Sequence, residues 1–406
     1  MTHHSTIRTR DALKTAGRSL RLLWVFFLAL GLFWPGCTPA DDRLDGIKKQ
    51  VVAGYAELGH RIYADSLAGA ESLAQAVEAF LANPTADGLA KAKAAWSASR
   101  IPYLQSEPFR YYAGPIDDDD GPEAAINGWP LDENYIDSPD GTGILQDQKR
   151  YPQLTPEVLE DLNQRDGEEN LSCGFHAIEF LLWGQDKSKA GPGNRPVTDF
   201  TTAPFAARRR EFLQSCVKLL VRDLKYVADD WLPEKLGNYR AFFEEGWEIS
   251  VQRIVTGMIF LGEFELAGQR LQVAYDTQEQ EEEHSCFSDT THLDAINNIR
   301  GISNIWNGSY QSPNGTAYHF PGFVKVAEVL DAELAAETTR QISAAARLAA
   351  KIPPPFDQAI LGADETAGRT AIHALIVALE DQSLSLRAIS RKLGYDISDR
   401  PDFTAE

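Results

Sequence analysis

The sequence predicts an all-α protein built from two helical bundles that pack together, with the functional site at their interface. Apolar residues recur at three- and four-residue spacing through long segments, which is the pattern of amphipathic helices. Alternation of apolar and polar residues, which would indicate strands, is scarce. Helices of about twenty residues joined by short connections are typical of antiparallel bundles.

Nine segments carry the helical pattern, and local signals support several of their ends. Thr155 and Pro156 are suited to a helix cap and a first turn, and Gly184 and Gly394 are expected to stop helices. The predicted helices are 44–62, 68–82, 87–104, 155–184, 204–232, 238–260, 290–307, 331–351 and 365–393.

Two segments interrupt this helical pattern. Residues 105–150 are rich in Gly, Pro, Asp and Tyr, and the aromatic residues among them favour an ordered, functional stretch. Residues 187–202 form a connection rich in Gly and Pro. We therefore expect an N-terminal bundle over 38–200 and a C-terminal bundle over 201–406.

The first 37 residues, 1–37, have the features of an export signal. Basic residues precede an apolar stretch, 22–33, that is too short to span a bilayer. Gly36 before Cys37 is typical of a bacterial lipoprotein cleavage site, so we expect lipidation of Cys37. Thr38 after the cysteine favours the periplasmic side of the outer membrane. A cleaved form that is soluble in the periplasm is the alternative.

Length, net charge and cysteine content limit the number of domains and the kinds of molecule that this protein is expected to bind. A chain of 406 residues is long enough for about two domains. Its formal net charge of −20 argues against nucleic acid, which is bound mainly by Lys and Arg, and would favour cations. Cys173, Cys216 and Cys286 remain after export, and either one disulfide with one thiol or three buried thiols is compatible with the sequence.

The most informative segment is 173–184, which is apolar on every side of a predicted helix except at His176 and Glu179. Such a helix should be buried, with these two side chains on one face and their Cβ atoms about 5–6 Å apart. A buried carboxylate needs a hydrogen-bond donor, an opposite charge or a metal. The pair is therefore a candidate for two metal ligands, and a hydrogen-bonded core pair is the alternative.

A second polar cluster lies in 283–294. A catalytic zinc site uses about three protein ligands, and the chain contains no His-Glu-x-x-His motif, so further ligands must come from elsewhere. A capping Asp with a first-turn His is the structural alternative for Asp289 and His292. The candidate metal ligands are His176, Glu179, His292 and Asp289, with His284 and Ser285 beside them at the site.

The irregular stretch 105–150 and the helix before it offer further candidates. Glu107, Arg100 and Tyr103 are expected at the rim of the site. The acidic run 117–120 does not fit a calcium-binding loop and is interpreted as a solvated turn. Nucleophilic catalysis has little support, because Ser288 and Cys286 lack the surroundings of an activated nucleophile.

Three motifs, in this order, resemble the imelysin family. They are Ile126 to Asp137, then Gly174-x-His176-x-x-Glu179 with Phe-Leu-Leu-Trp-Gly after it, and then Glu283 to Asp294 followed by Gly301-Ile302. Members are bacterial cell-envelope proteins that are classed with metallopeptidases and linked to iron uptake, and some are called iron-regulated protein A. The resemblance implies two helical bundles, with the Ser285 to His292 run facing the His-x-x-Glu helix.

Taken together, the residues and the resemblance favour an exported protein that binds a metal, iron in the first instance or zinc. Carboxylate and imidazole groups suit iron better than thiolate-rich sites would. One alternative is a zinc metallopeptidase in which Glu179 is catalytic and a metal-bound water is the nucleophile. Another is a module that binds a peptide or an envelope protein without a metal.

Overall fold

The structure is a computed structural model that describes residues 39–188, 191–233 and 235–397. The predicted signal segment and Cys37 lie outside the described residues. Within the described ranges, the regular secondary structure is helical apart from one small antiparallel hairpin. The predicted all-α class is therefore confirmed.

The α-helices of these ranges are numbered in chain order. They are α1 (Pro39–Ala82), α2 (Ala86–Ser106), α3 (Glu123–Asn127), α4 (Glu133–Ile136), α5 (Pro156–Leu162), α6 (Gly174–Trp183), α7 (Ala206–Asp230), α8 (Tyr239–Glu245), α9 (Trp247–Ile259), α10 (Val273–Thr277), α11 (Thr291–Asn307), α12 (Val324–Leu330), α13 (Ala332–Ala349), α14 (Phe356–Ala359) and α15 (Ala367–Lys392). None of these described helices combines the length and the apolar character needed to cross a membrane.

Shorter elements connect the helices. A π-helical segment, Phe260–Gln272, joins α9 to α10. The strands β1 (Ser309–Gln311) and β2 (Ala317–His319) pair with Tyr310 opposite Tyr318. Single 3₁₀ turns occur at Glu107–Phe109, Val197–Phe200 and Gln280–Glu282.

Several helix ends follow the expected capping chemistry. The Thr155 hydroxyl accepts a hydrogen bond from the Val158 amide at 3.4 Å, and Pro156 occupies the first turn of α5. Gly184 follows α6 with a φ of +75°, and Gly394 lies just past α15 with a φ of +90°. Glycine adopts this left-handed conformation without the steric cost of a Cβ, which explains its use at helix stops.

The predicted helix 155–184 is divided in two. Between α5 and α6, Gln164 and Asp166 adopt positive φ angles of 57° and 67°. The Asn163 side chain accepts a hydrogen bond from the Ser172 amide at 3.0 Å and donates to the Ala124 carbonyl at 3.1 Å. Short polar side chains that bond the backbone in this way compete with a continuous helix.

Two apolar cores organise the packing. The larger one lies around α1, which packs along α2 and α7, and it includes Val51 as well as Val251 and Phe323. It therefore draws on residues from both sides of position 200. The smaller core lies among α11, α13, α15 and the π-helical segment. The predicted division into 38–200 and 201–406 stays a prediction.

The three described cysteines are buried free thiols. The Cys216 thiol contacts the Ser172 carbonyl oxygen at 3.4 Å. Burial raises the pKa of Cys173 and of Cys286, so neither sulfur has the low pKa of a reactive thiolate. Of the two alternatives open from the sequence, the structure has the buried thiols.

Candidate functional site

Helix α6 is buried along its whole length. All ten of its residues, from Gly174 to Trp183, have negligible exposure, and α2, α3 and α7 pack around it. The Trp96 indole of α2 donates a hydrogen bond to the Phe175 carbonyl at 2.9 Å, which fixes the start of α6. The prediction of a helix apolar on every side and buried on every side is confirmed.

Gly174 determines where this helix can begin. Its φ is +87°, and a Cβ at this position would stand 2.8 Å from the Ile126 carbonyl oxygen and 2.9 Å from that of Ala125. Backbone at such distances cannot accommodate a side chain. The glycine of the Gly-x-His-x-x-Glu motif is therefore required by the close approach of α3.

His176 and Glu179 form a hydrogen-bonded pair within α6. The His176 Nδ1 lies 3.1 Å from Glu179 Oε2. The other carboxylate oxygen, Oε1, accepts hydrogen bonds from the Ser288 amide at 2.9 Å and from the Ser288 hydroxyl at 2.6 Å. Glu179 is thus held by Ser288 of the third motif, Glu283 to Asp294, which lies against α6.

A second imidazole–carboxylate pair lies beside the first. The His284 Nδ1 is 2.8 Å from Asp294 Oδ2, and the Ser285 hydroxyl donates to the same oxygen at 2.6 Å. The Arg100 guanidinium approaches Asp294 at 3.5 Å. Asp294 therefore orients His284 as Glu179 orients His176.

The two imidazoles face each other in the interior. Their ring centroids are 4.7 Å apart, and the ring planes are inclined by 70°. Both side chains are at most 2% exposed. Within the described part of the chain, Nε2 of His176 and Nε2 of His284 have no hydrogen-bond partner. Each ring is thus held through its Nδ1, and its Nε2 is left without a hydrogen bond in these residues.

Burial also sets the protonation of the two rings. It lowers the pKa of His176 well below the usual value, and nearby His284 and Arg100 lower it further. Burial acts in the same direction on the pKa of His284, helped by Arg270 and Arg100. Both imidazoles are therefore neutral at physiological pH. A neutral ring that donates from Nδ1 has its lone pair on Nε2, and for His176 this requires the ionised form of Glu179.

The pKa of Glu179 shifts in the opposite direction. Burial raises its pKa to about 8, although the hydrogen bonds from Ser288 and the charge of Arg100 favour the ionised form. A cation placed near this carboxylate would stabilise its ionised form.

Asp289 and His292 are not joined to the His176–Glu179 pair by any hydrogen bond, ion pair or ring contact among the described residues. Asp289 is 3% exposed and has a φ of +56°, and neither of its carboxylate oxygens accepts a hydrogen bond there. Burial, with the charges of Asp357 and Asp186, raises its pKa to about 7. Their predicted role as metal ligands stays a prediction.

The residues expected at the rim are instead buried. Arg100 donates a hydrogen bond to the Asn127 side chain. Glu107 is only 1% exposed and accepts hydrogen bonds from Arg270 at 2.8 and 3.1 Å. Tyr103 is fully buried, and its hydroxyl has no partner within the described ranges. Because Arg100 contacts Asp294, this network continues from the second imidazole pair into the interior.

Sequence reasoning placed Asp294 in the second cluster but missed its pairing with His284, and it missed the roles of Asn127 and Arg270. Asp294 and Asn127 lie within the quoted motifs, so their position there was a usable signal. Arg270 lies in a polar part of the π-helical segment, where nothing in the sequence marks it as buried. In the described residues, no group of three or more His, Cys, Asp or Glu side chains is arranged to hold a metal ion.

Comparisons with known proteins agree with this combination of fold and motif. The family model described as Imelysin, peptidase family M75, matches residues 59–386. Iron-regulated protein A of Synechococcus elongatus is 27% identical over 258 residues, which are 63% of this chain and 62% of that protein. The matched part of the chain thus spans less than two thirds of this relative.

Two solved structures share the fold. A protein provisionally named iron-regulated protein A precursor, from Parabacteroides distasonis, has a TM-score of 0.67 at 21% identity over 88% of this chain and 97% of its own. An imelysin-like protein from Psychrobacter arcticum has a TM-score of 0.60 at 11% identity over 87% and 98%.

The fold and the site define a helical protein with a buried pair of carboxylate-bound imidazoles. The chain belongs to the imelysin family.

Proposed function

We propose that this protein binds iron through His176 and His284, and that it serves iron uptake at the cell envelope. The observation that carries the proposal is the pair of neutral, buried imidazoles, each with Nδ1 bonded to a carboxylate and Nε2 left without a partner. Histidines that bind metals commonly hold a carboxylate through the other ring nitrogen, which fixes the ring and raises its basicity.

The residues fit a metal ion in their chemistry. Imidazole nitrogen is a suitable ligand for iron and for zinc. A ring nitrogen without a partner in the interior costs about 1–3 kcal/mol, which a bound ion would recover. His176 and His284 would supply two nitrogen donors, and the carboxylates of Glu179 and Asp294 would keep those nitrogens directed. The names of the relatives, iron-regulated protein A, support iron as the metal.

The test is metal binding by protein purified without a histidine tag. Fe²⁺ or Zn²⁺ at about 100 times the dissociation constant should stabilise the wild type by about 2.7 kcal/mol, because an ion that binds only the folded state raises its stability. Elemental analysis and the melting temperature with and without metal are the measurements. His176→Ala and His284→Ala should lose the response, whereas His319→Ala, on the exposed β2, should keep it.

His292→Ala distinguishes two versions of the site. If the imidazole pair alone binds the ion, this variant responds to metal like the wild type. A weakened response would instead support the ligand role predicted for His292 and Asp289. A wild type that responds to no divalent or ferric ion contradicts the proposal and favours a module that binds a peptide or an envelope protein.

Peptidase activity is the alternative function, and the same metal-loaded protein can be used to test it. Cleavage of a peptide library that requires metal and stops with a chelator would establish a zinc-type metallopeptidase. A free carboxylate to serve as general base is needed for that chemistry. Both Glu179 oxygens already have contacts, with His176 and with Ser288, which favours binding over catalysis.

The location at the cell envelope rests on the N-terminal sequence. Basic residues, the apolar stretch 22–33 and Gly36-Cys37 support export with a lipid on Cys37. Labelled fatty acid should be incorporated into the wild type, and Cys37→Ala should release the protein from membranes. Membrane association that persists unchanged in Cys37→Ala would contradict the lipid anchor.

A further inference from the structure

A small cavity leads from the surface to the His284 imidazole. Its volume is about 230 Å³, and we call it the entrance cavity. His284 lies on its wall, fully buried, and the Trp129 ring is 5.7 Å from the His284 ring between centroids. Glu168 and Glu169, also on its wall, are exposed. The entrance cavity therefore runs from exposed carboxylates to the buried side chain of His284.

The wall of the entrance cavity carries more acidic than basic side chains. Four glutamates line it, Glu123, Glu168, Glu169 and Glu265, against the single basic side chain of Arg110. The inner two are already paired, Glu123 with Arg110 at 3.0 Å and Glu265 with Arg270 at 2.8 Å. Glu168 and Glu169 make no ion pair within the described structure, so their charges are available to an approaching cation.

The size of the entrance cavity limits what can enter. A water molecule takes about 30 Å³ of liquid volume, so six waters around an ion need about 180 Å³. That is within the volume of the entrance cavity. Drug-sized organic ligands occupy pockets of about 300–1,000 Å³, which is larger. A drug-sized organic chelate of a metal is thus too large, and the negative charge that chelates usually carry is repelled by the glutamates.

We propose that the entrance cavity admits a free, hydrated metal cation to His284 and excludes anionic metal chelates. This inference rests on the proposed function, and it adds the chemical form in which the metal arrives. Two observations support it independently of the family. One is the excess of glutamates along the wall, and the other is the buried Nε2 of His284, which has no partner within the described ranges.

The experiment measures how fast Fe²⁺ associates with the full chain under anaerobic conditions, by stopped-flow quenching of tryptophan fluorescence. Glu168→Gln/Glu169→Gln should lower the association rate constant at least about threefold at 10 mM salt, because acidic clefts attract cations over a Debye length of about 30 Å. The difference should vanish at 0.5 M salt. Glu71→Gln/Glu78→Gln, which removes two exposed charges on α1, is the matched control and should change nothing.

A second arm tests the form of the metal. In excess citrate, the loading rate should follow the concentration of free Fe²⁺ alone. Loading that follows total iron, or an unchanged rate constant in Glu168→Gln/Glu169→Gln, overturns the entrance proposal while equilibrium iron binding upholds the proposed function. If the wild type binds no Fe²⁺ at equilibrium, both proposals fail.

Discussion

Glu107 is the most strongly ion-paired buried carboxylate of the site region. Burial alone would raise its pKa, but the positive charges of Arg270 and Arg110 outweigh burial and hold the pKa at about 2. Arg270 donates to both carboxylate oxygens, and Asn127 adds a longer contact at 3.3 Å. A buried pair of this kind contributes little against an apolar equivalent, but removing one partner leaves a buried charge uncompensated.

We expect Glu107→Gln to lower the free energy of unfolding by about 3–5 kcal/mol at pH 7. The pH dependence should change as well. In the unfolded chain Glu107 gains its proton near pH 4.5, and in the folded protein only near pH 2. Its stabilisation is therefore complete above about pH 4.5 and is lost as the pH falls towards 2.

The measurement for this prediction is urea unfolding at several pH values between 2 and 7. Glu107→Gln should show a shallower loss of stability in acid than the wild type. Glu333→Gln, at an exposed position of α13, serves as the control for loss of one charge. Parallel curves for the wild type and Glu107→Gln would mean that this carboxylate is not protected from protons in the folded state.

At the residue scale, the sequence identified one half of the imidazole pair. His176 and Glu179 could be predicted because a helix without other polar side chains must bury both of them. His284 was identified only as a neighbour of the site, because its partner Asp294 is ten positions away and on a different element. Such a pairing depends on how the loop before α11 folds back, and spacing within one helix gives no information about it.

Helix α6 illustrates how a single backbone position fixes an element. Gly174 has a φ of +87°, and Gly141, in an exposed loop, has nearly the same φ of +86°. A Cβ on Gly141 would meet nothing within 4 Å, whereas one on Gly174 would collide with two carbonyl oxygens of α3. A side chain added at either position would meet the same backbone strain, but only at Gly174 would it also collide with its surroundings.

Comparing Gly174→Ala with Gly141→Ala should separate these two effects. Strain at a left-handed position costs about 1–2 kcal/mol for a residue with a Cβ, so Gly141→Ala should lose about that much. Gly174→Ala should lose at least about 1 kcal/mol more, because α3 or α6 must shift to relieve overpacking. Thermal or urea unfolding gives both values. Equal losses would show that α3 moves away at negligible cost.

At the element scale, long periodic segments could be predicted and short irregular ones could not. The predicted 290–307, 331–351 and 365–393 agree with α11, α13 and α15 to within two residues at each end. The hairpin β1–β2 was missed, although Asn314-Gly315 in its loop is a known hairpin signal. The π-helical segment was missed because its hydrogen-bond pattern changes no residue type that periodicity can detect.

The whole molecule is held together across the predicted domain boundary. Helix α1 packs on α7 and on α9, and both of these helices follow residue 200. Phe212 and Val251 of those helices are buried in the same core as Tyr55 of α1. The Glu107–Arg270 ion pair also joins the two halves of the chain. An arrangement in which the larger core is shared by both halves differs from two bundles that each fold alone. Sequence periodicity cannot distinguish the two arrangements, because it gives the apolar face of a helix but not the partner of that face.

The last prediction follows from this shared core. The fragment 38–200, expressed alone, should not melt cooperatively, because it would expose the face of α1 that α7 and α9 cover, and apolar burial supplies most of the folding free energy. When 38–200 and 201–406 are produced together, they should copurify and regain a cooperative transition, because cutting the chain near residue 200 removes none of these contacts. Circular dichroism melts of the fragment and of the copurified pair are the measurements. A cooperative transition in 38–200 alone would establish an independent N-terminal bundle with the boundary that the sequence predicts.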